Sequence, residues 1–345
     1  MHAHIRLVTI GLLLLALPTL SLAQVATPTI SPAGGGTTPN PAAIALAPSS
    51  FFGITGGKRN VETQDSAGNV IAKGPASNVQ GELRAVGDTY AAALDYGANR
   101  IGLDPTPSVD FGTHIDDHVQ NGGLAVQFDH SIALGVGVER GRTQSTSRIG
   151  LPLVPAVILA QEDRRSTMPV VGLVLRFADV LYLGTSYGKE HIHSDQAVMI
   201  GATPGAATID VKRNVFRYGV ALMWLDRDGS AFRLEMAGER RDPYSGQDPF
   251  SGLTTPDQDK RTTSGGELEW RIGRLLLGYY GRTTETSNGG VKQQTEKQSG
   301  LSLGWVPPVG WAVTVSSFND RIDFSGPING RHEVNLVLLG VHRQF

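Results

Sequence analysis

Residues 331–345 read Arg-His-Glu-Val-Asn-Leu-Val-Leu-Leu-Gly-Val-His-Arg-Gln-Phe. Side chains two residues apart on an extended chain share a face. Val337, Leu339, Val341 and the last residue, Phe345, therefore form one apolar row. Phe345 closes an alternating strand, and the rest of the chain has to say which way such rows point.

The N-terminus bounds the setting. His2, His4 and Arg6 precede the apolar stretch Leu7 to Leu17, and Ser21-Leu22-Ala23 supplies small residues for cleavage before Gln24. That pattern predicts an exported chain with a signal peptide over 1–23. No other apolar run approaches the ~20 residues a membrane-spanning helix needs. The chain contains no Cys, which excludes disulfides and a lipoprotein anchor, and its formal net charge is −2. Loss of Arg6 makes it one unit more negative, and nothing basic points to nucleic acid. The 43 glycines far exceed the usual ~7% share and suit tight turns and strands rather than helices.

Along the chain, 24–50 is rich in Pro, Gly and Thr and reads as a linker. Residues 51–106 form an N-terminal extension. Within it, Val79, Leu83, Val86, Tyr90, Leu94 and Ile101 recur mostly at three- and four-residue spacing, which predicts a helix over 78–100 lying in a lumen or in the periplasm. The alternative is that 90–102 is a strand. From 107 to 345 the period is two. Eleven rows are clear after Gly122, and a twelfth at Pro107 to Asp116 makes the number even. The fold class predicted is all-β: an antiparallel transmembrane β-barrel of twelve strands preceded by a short helical or irregular extension.

Two patterns point the apolar rows outward. Short connections (129–131, 178–180, 227–229, 273–274, 306–310) alternate with long ones near 144–167, 195–213, 242–261 and 288–296. That is the alternation of tight periplasmic turns and external loops. Trp224, Trp270, Trp305 and Trp311 each lie within a few residues of a short turn. With Phe345 they predict an aromatic girdle at one membrane interface. A three-residue turn at 227–229 predicts that Trp224 faces Phe232, Leu222 faces Leu234, Val220 faces Met236 and Arg217 faces Glu239. A turn at Gly273-Arg274 sets Trp270 opposite Leu277.

With an export signal, alternating strands and a terminal Phe, the chain resembles Gram-negative outer-membrane β-barrel proteins, porin-like or similar to autotransporter translocators. The resemblance implies the outer membrane as location, outer-membrane lipid and lipopolysaccharide as surroundings, and recognition of the last strand by the barrel-assembly machinery. For the translocators it also implies a helix threading the lumen. Arg343 stands where that family carries an apolar or aromatic residue.

Glu139, Arg176, Arg217, Arg233, Glu235, Glu239, Glu267, Glu269 and Arg271 fall on the faces opposite the apolar rows and are the candidate pore-lining residues. They can serve as paired ladders that stiffen a barrel or as a field that sorts solutes in a water-filled channel. Asp116-Asp117-His118 and His191-Ile192-His193-Ser194-Asp195 are the only clusters suggestive of chemistry. Neither carries a nucleophile signature or a third ligand fixed by spacing, so no catalytic residue, metal ligand or cofactor is assigned. Residues 150–160 form an apolar stretch expected to fold into the mouth as a constriction. The function expected is a passive channel for small solutes with a charged lumen. The alternatives are a helix-plugged export or anchor barrel and a lipid-modifying enzyme.

Overall fold

The computed structural model describes residues 40–46, 50–65, 68–105, 110–129, 131–150, 157–178, 180–225, 231–247, 254–307, 309–324 and 330–344. The signal peptide, most of the linker, Phe345 and residues 151–156 of the apolar stretch lie outside them. A short 3-10 helix, Pro41–Leu46, precedes the strands. These are β1 (Phe51–Asp65), β2 (Val70–Val86), β3 (Tyr90–Pro105), β4 (Phe111–Gln127), β5 (Ile132–Gly150), β6 (Val157–Phe177), β7 (Leu181–Ile200), β8 (Thr203–Leu225) and β9 (Ala231–Arg241). A two-stranded hairpin, β10 (Tyr244–Gln247) and β11 (Thr254–Gln258), interrupts the series. β12 (Lys260–Ile272), β13 (Leu275–Asn288), β14 (Val291–Trp305), β15 (Gly310–Phe324) and β16 (Gly330–Gln344) complete it.

Every barrel strand pairs antiparallel with its neighbours, and β16 pairs with β1 to close the circle. Closure leaves no barrel edge to satisfy in lipid. The predicted register is met at each position named: Trp224 opposes Phe232, Leu222 opposes Leu234, Val220 opposes Met236, Arg217 opposes Glu239, and Trp270 opposes Leu277. Gly273 has φ +58 while Arg274 stays on the ordinary side, the geometry of a two-residue hairpin turn with Gly first. The turn at 227–229 lies outside the described residues.

The strand number is fourteen rather than twelve. The described part of the row at 107–116, from Phe111 on, and the row after Gly122 are one strand, β4, and three further strands come from 51–105. The expected helix over 78–100 is instead the end of β2, a turn at Gly87-Asp88-Thr89, and most of β3. The misreading has a simple cause. Val79 and Leu83, or Tyr90 and Leu94, are four apart, and four is also a multiple of two. Gly81 and Ala92 between them left the strand face looking empty. All four large side chains point outward and are exposed.

The long connections are also mostly strand. β5 to β8 run 19 to 23 residues, against the ~9–11 needed to cross a bilayer. Their lower halves carry apolar side chains outside, as in Leu181, Leu183 and Tyr187 of β7. Their upper halves reverse: Lys189, His191 and Asp195 face out while Ile192 and Val198 are buried inside. The change of face marks where lipid ends and water begins. The barrel wall continues beyond the membrane as a collar with a water-facing exterior. This explains why the period-two signal faded there without the strands ending.

The four tryptophans sit on the exterior at the short-turn end, with Trp224 at 67% and Trp270 at 50% exposed. Arg343 lies over the Trp311 ring at 5.7 Å, so the residue that departs from the family pattern stacks on an interface aromatic with its charge free to reach water.

Candidate functional site in the barrel lumen

The lumen holds two layers. The first is the 3-10 helix, seated at the short-turn end. Asn40 begins it: its backbone oxygen accepts from Ala43 N at 3.0 Å, its Oδ1 accepts from Ala42 N at 3.1 Å, and its Nδ2 donates to Leu173 O on β6 at 3.2 Å. Asn before Pro at the first helical position is a start signal. Ala42, Ala43, Ile44 and Ala45 pack against Ala91, Ala93, Ala125, Ala133, Val174, Tyr182 and Ala221 on six surrounding strands.

Glycines make the seat. A Cβ at Gly135 would overlap the backbone at Pro41 and Ala42, one at Gly172 would overlap Asn40, and one at Gly123 would stand 2.8 Å from Ile44 Cδ1. The wall at this level is built from small residues and does not fill its own bore. A cavity of about 20 Å3, room for roughly one water, remains between the helix and Asp95, Asn121 and Glu139. Gly135→Leu is expected to displace the helix while leaving the wall intact, because a flexible lumen segment yields before a closed ladder does. A subtilisin digest should then cut around residue 40 faster than in the parent chain; an unchanged rate would show that the seat does not depend on Gly135.

The second layer is ionic. Arg217 on β8 donates from Nε to Glu239 Oε2 at 2.6 Å and from Nη1 and Nη2 to both oxygens of Glu139 at 2.5 and 2.9 Å. Because Glu139 belongs to β5, that pair reaches across the interior rather than along the wall. Arg241 joins Glu239 at 2.7 Å, and Arg213 donates to Glu190 at 2.6 Å. Arg233 meets Glu267 at 2.5 Å and Glu269 at 3.6 Å. Glu235 is wholly buried beside them.

Of the nine residues predicted to line a pore, seven therefore fall into two groups, with Arg217, Arg233, Glu235 and Glu269 buried and the rest half-buried: Glu139, Arg217 and Glu239; and Arg233, Glu235, Glu267 and Glu269. Arg176 and Arg271 do not join them. Arg176 lies 5.6 Å from the Tyr182 ring centroid, and Arg271 donates to the carbonyls of Gly273 and Val306 near the short turns. Within each group the charges pair with one another. Sequence reasoning missed the contribution of the far end of the lumen, where Arg164 and Arg213 from the wall and Arg261 at the root of the 244–258 hairpin converge on Asp259. It also missed Asn40 to Ala45, although Asn40-Pro41 is a readable helix start.

Burial would raise the Asp259 carboxyl, but Arg261, Arg213 and Arg164 around it more than offset this and hold it well below the ordinary carboxylate range. A depressed carboxyl contributes stability that is present above its unfolded value, near 4, and is lost only as pH falls toward the folded value. The hairpin root should hold as tightly at pH 5 as at pH 7. Asp259→Asn should make residues 244–258 cleavable at both pH values. Hairpin cleavage in the parent chain that rises sharply between pH 7 and 5 would contradict this pairing.

The two clusters suggestive of chemistry are divided or tied. Asp117 faces inward and accepts from Thr143 at 2.7 Å, while Asp116 and His118 face outward beside Arg100 and Tyr96. His191 and His193 are on the exterior and both contact Asp210.

No family model matches the chain, and no curated protein matches it. Solved structures do. A FadL homologue from Pseudomonas aeruginosa superimposes with a TM-score of 0.64 at 13% identity, covering 93% of this chain and 99% of that one. The toluene transporter TodX of P. putida gives 0.62 at 13% identity, covering 94% and 99%. The translocator domain of the autotransporter NalP from Neisseria meningitidis gives 0.50 at 13% identity, covering 86% and 89%. The fold is that of an outer-membrane β-barrel. At these identities the likeness concerns architecture. The closed ladder and the lipid-facing belt of this outer-membrane barrel agree with it.

Proposed function

We propose that this barrel is a passive channel for small apolar solutes, closed in the conformation described. The observation that carries the reading is the plug: a segment outside the wall sits on glycines in a bore that the wall leaves open. A barrel meant only as an anchor can fill such a level with its own side chains, as narrow barrels do. The solute class follows from the collar, whose inward face carries buried Ile101, Leu103, Ile115, Ile158, Ile192 and Ile209. A polar solute gains nothing from that surface. Structures with this architecture include monoaromatic hydrocarbon channels, which supports the same class. The ionic layer replaces the open charged lumen first expected: its members spend their charge on each other, which makes it a constriction that water can wet rather than a filter ring.

The test is uptake. Cells producing the full chain in their outer membrane should take up labelled toluene faster than cells lacking it, with arabinose entry unchanged. Equal toluene uptake would remove the proposed function, and faster arabinose entry would return the reading to a general polar channel.

A further inference from the structure

The outer wall carries a second pattern, at the edge where the apolar belt meets the collar. Going up each strand from the aromatic girdle, past Arg343 at the short-turn interface, the first charged side chain on the exterior is Lys or Arg on every barrel strand except β4, β13 and β16, where it is Asp116, Glu285 and Glu333. On β1, β3, β6, β7, β8 and β15 carboxylates follow, deeper in the water-facing collar.

The pattern is densest from β4 to β8. The register sets Gln120 beside Arg140, Arg140 beside Thr167, Thr167 beside His191 and His191 beside Lys212. That row contains no acid. Lys189 lies just below it, next to Asn214 and level with the break in the β6–β7 ladder at Pro169. The acids above are engaged: Asp163 accepts from Arg142 and Arg165, and Asp210 is held by His191 and His193. Arg142 and Arg165 stand directly opposite each other, a like-charge juxtaposition that costs stability without an anion nearby. Arg140, Lys189 and Lys212 are exposed and have no ion-pair partner among the described residues. At a strand spacing of about 4.8 Å, Arg140 to Lys212 spans about 14 Å.

We propose that this patch binds the phosphorylated headgroup of an outer-leaflet lipid, the chemical class that includes lipopolysaccharide. Height selects the ligand. Long basic side chains rooted at the top of an apolar belt hold their charges at headgroup level. Guanidinium and ammonium groups interleaved with neutral donors (Gln120, Thr167, Asn214) suit phosphate oxygens. A soluble anion would have no reason to meet its cations at the rim of a lipid-facing surface.

The experiment uses the full mature chain in neutral detergent micelles, titrated with diphosphoryl lipid A and with the same lipid stripped of its phosphates. The parent chain should prefer the phosphorylated lipid by about tenfold or more. The R140Q/K189Q/K212Q variant should lose that preference, and each single substitution should lose part of it, so a triple variant that misfolds leaves the question answerable. K58Q/K297Q, on the far wall, should keep the preference. Equal binding of the two lipids by the parent chain would overturn the proposal, as would an unaltered preference in the single variants. Abolition of lipid binding by millimolar inorganic phosphate at matched ionic strength would also overturn it, because the site would then be one for free phosphate.

Discussion

Deleting residues 40–46 is expected to raise single-channel conductance in a planar bilayer on the order of tenfold, from a nearly silent baseline to a steady open level. An ion crossing the lumen meets two layers of different character. The ionic layer around Arg217 is polar and can be wetted. The plug layer is mostly Ala, Ile and Gly, and the Asn40 amide is spent on Ala42 N and Leu173 O, so it offers little to replace an ion's hydration and acts as a dry barrier. The barrel wall does not need the segment, since every strand is already paired on both sides. The deletion should therefore insert and fold normally, shown by the usual difference in gel mobility between heated and unheated samples. Ile44→Ala alone should give flickering rather than steady opening, because burying that side chain contributes only about 2 kcal/mol. A folded deletion that conducts no better than the parent chain would mean that the ionic layer, or a segment outside the described residues, closes the bore.

The largest effect on stability is expected from Arg217→Met. It removes the cation that hydrogen-bonds both Glu139 and Glu239 and leaves Glu139 without that partner in the interior. Breaking a buried pair from one side costs about 3–5 kcal/mol, whereas replacing all its members by neutral groups costs little. Glu239 keeps Arg241 as a partner, so adding Glu139→Gln to Arg217→Met should restore most of the loss. Urea unfolding in detergent, followed by tryptophan fluorescence, measures both. If Arg217→Met unfolds at the parent's urea concentration, the layer is hydrated and structurally idle. If the double variant is as weak as the single one, side-chain packing rather than charge holds the layer together.

How much of this was legible in the chain depends on which side of the membrane edge a residue occupies. Within the belt the large apolar side chains recur every second residue on one face, and the pairing of Trp224 with Phe232 could be read to the residue. Where the strands pass beyond lipid, the exterior turns polar and the interior apolar, so the rows at Lys189 to Asp195 changed sign and read as loop. Small residues hid the second strand and blurred the third for a different reason. Gly81 leaves the exterior row open, so that Val79 and Leu83 imitate a helix face. The ionic layer was half visible. Opposite charges on facing positions, as in Arg217 and Glu239, follow from register. The reach of Arg217 across to Glu139 depends on barrel curvature, which no local spacing records. Asn40-Pro41 announced a helical turn, but nothing near it in sequence could place that turn inside a wall formed by strands about 50 to 180 residues away.

The claim beneath the rest is that lipid covers the Leu, Val and aromatic rows. Because the chain has no native cysteine, nitroxide labels can be attached one at a time along β8 in reconstituted membranes. Oxygen dissolved in the bilayer should relax labels at Val220, Leu222 and Trp224 strongly and labels at Gly219, Ala221 and Met223 weakly, giving an accessibility that alternates with a period of two. An opposite phase, or no alternation, would contradict the account.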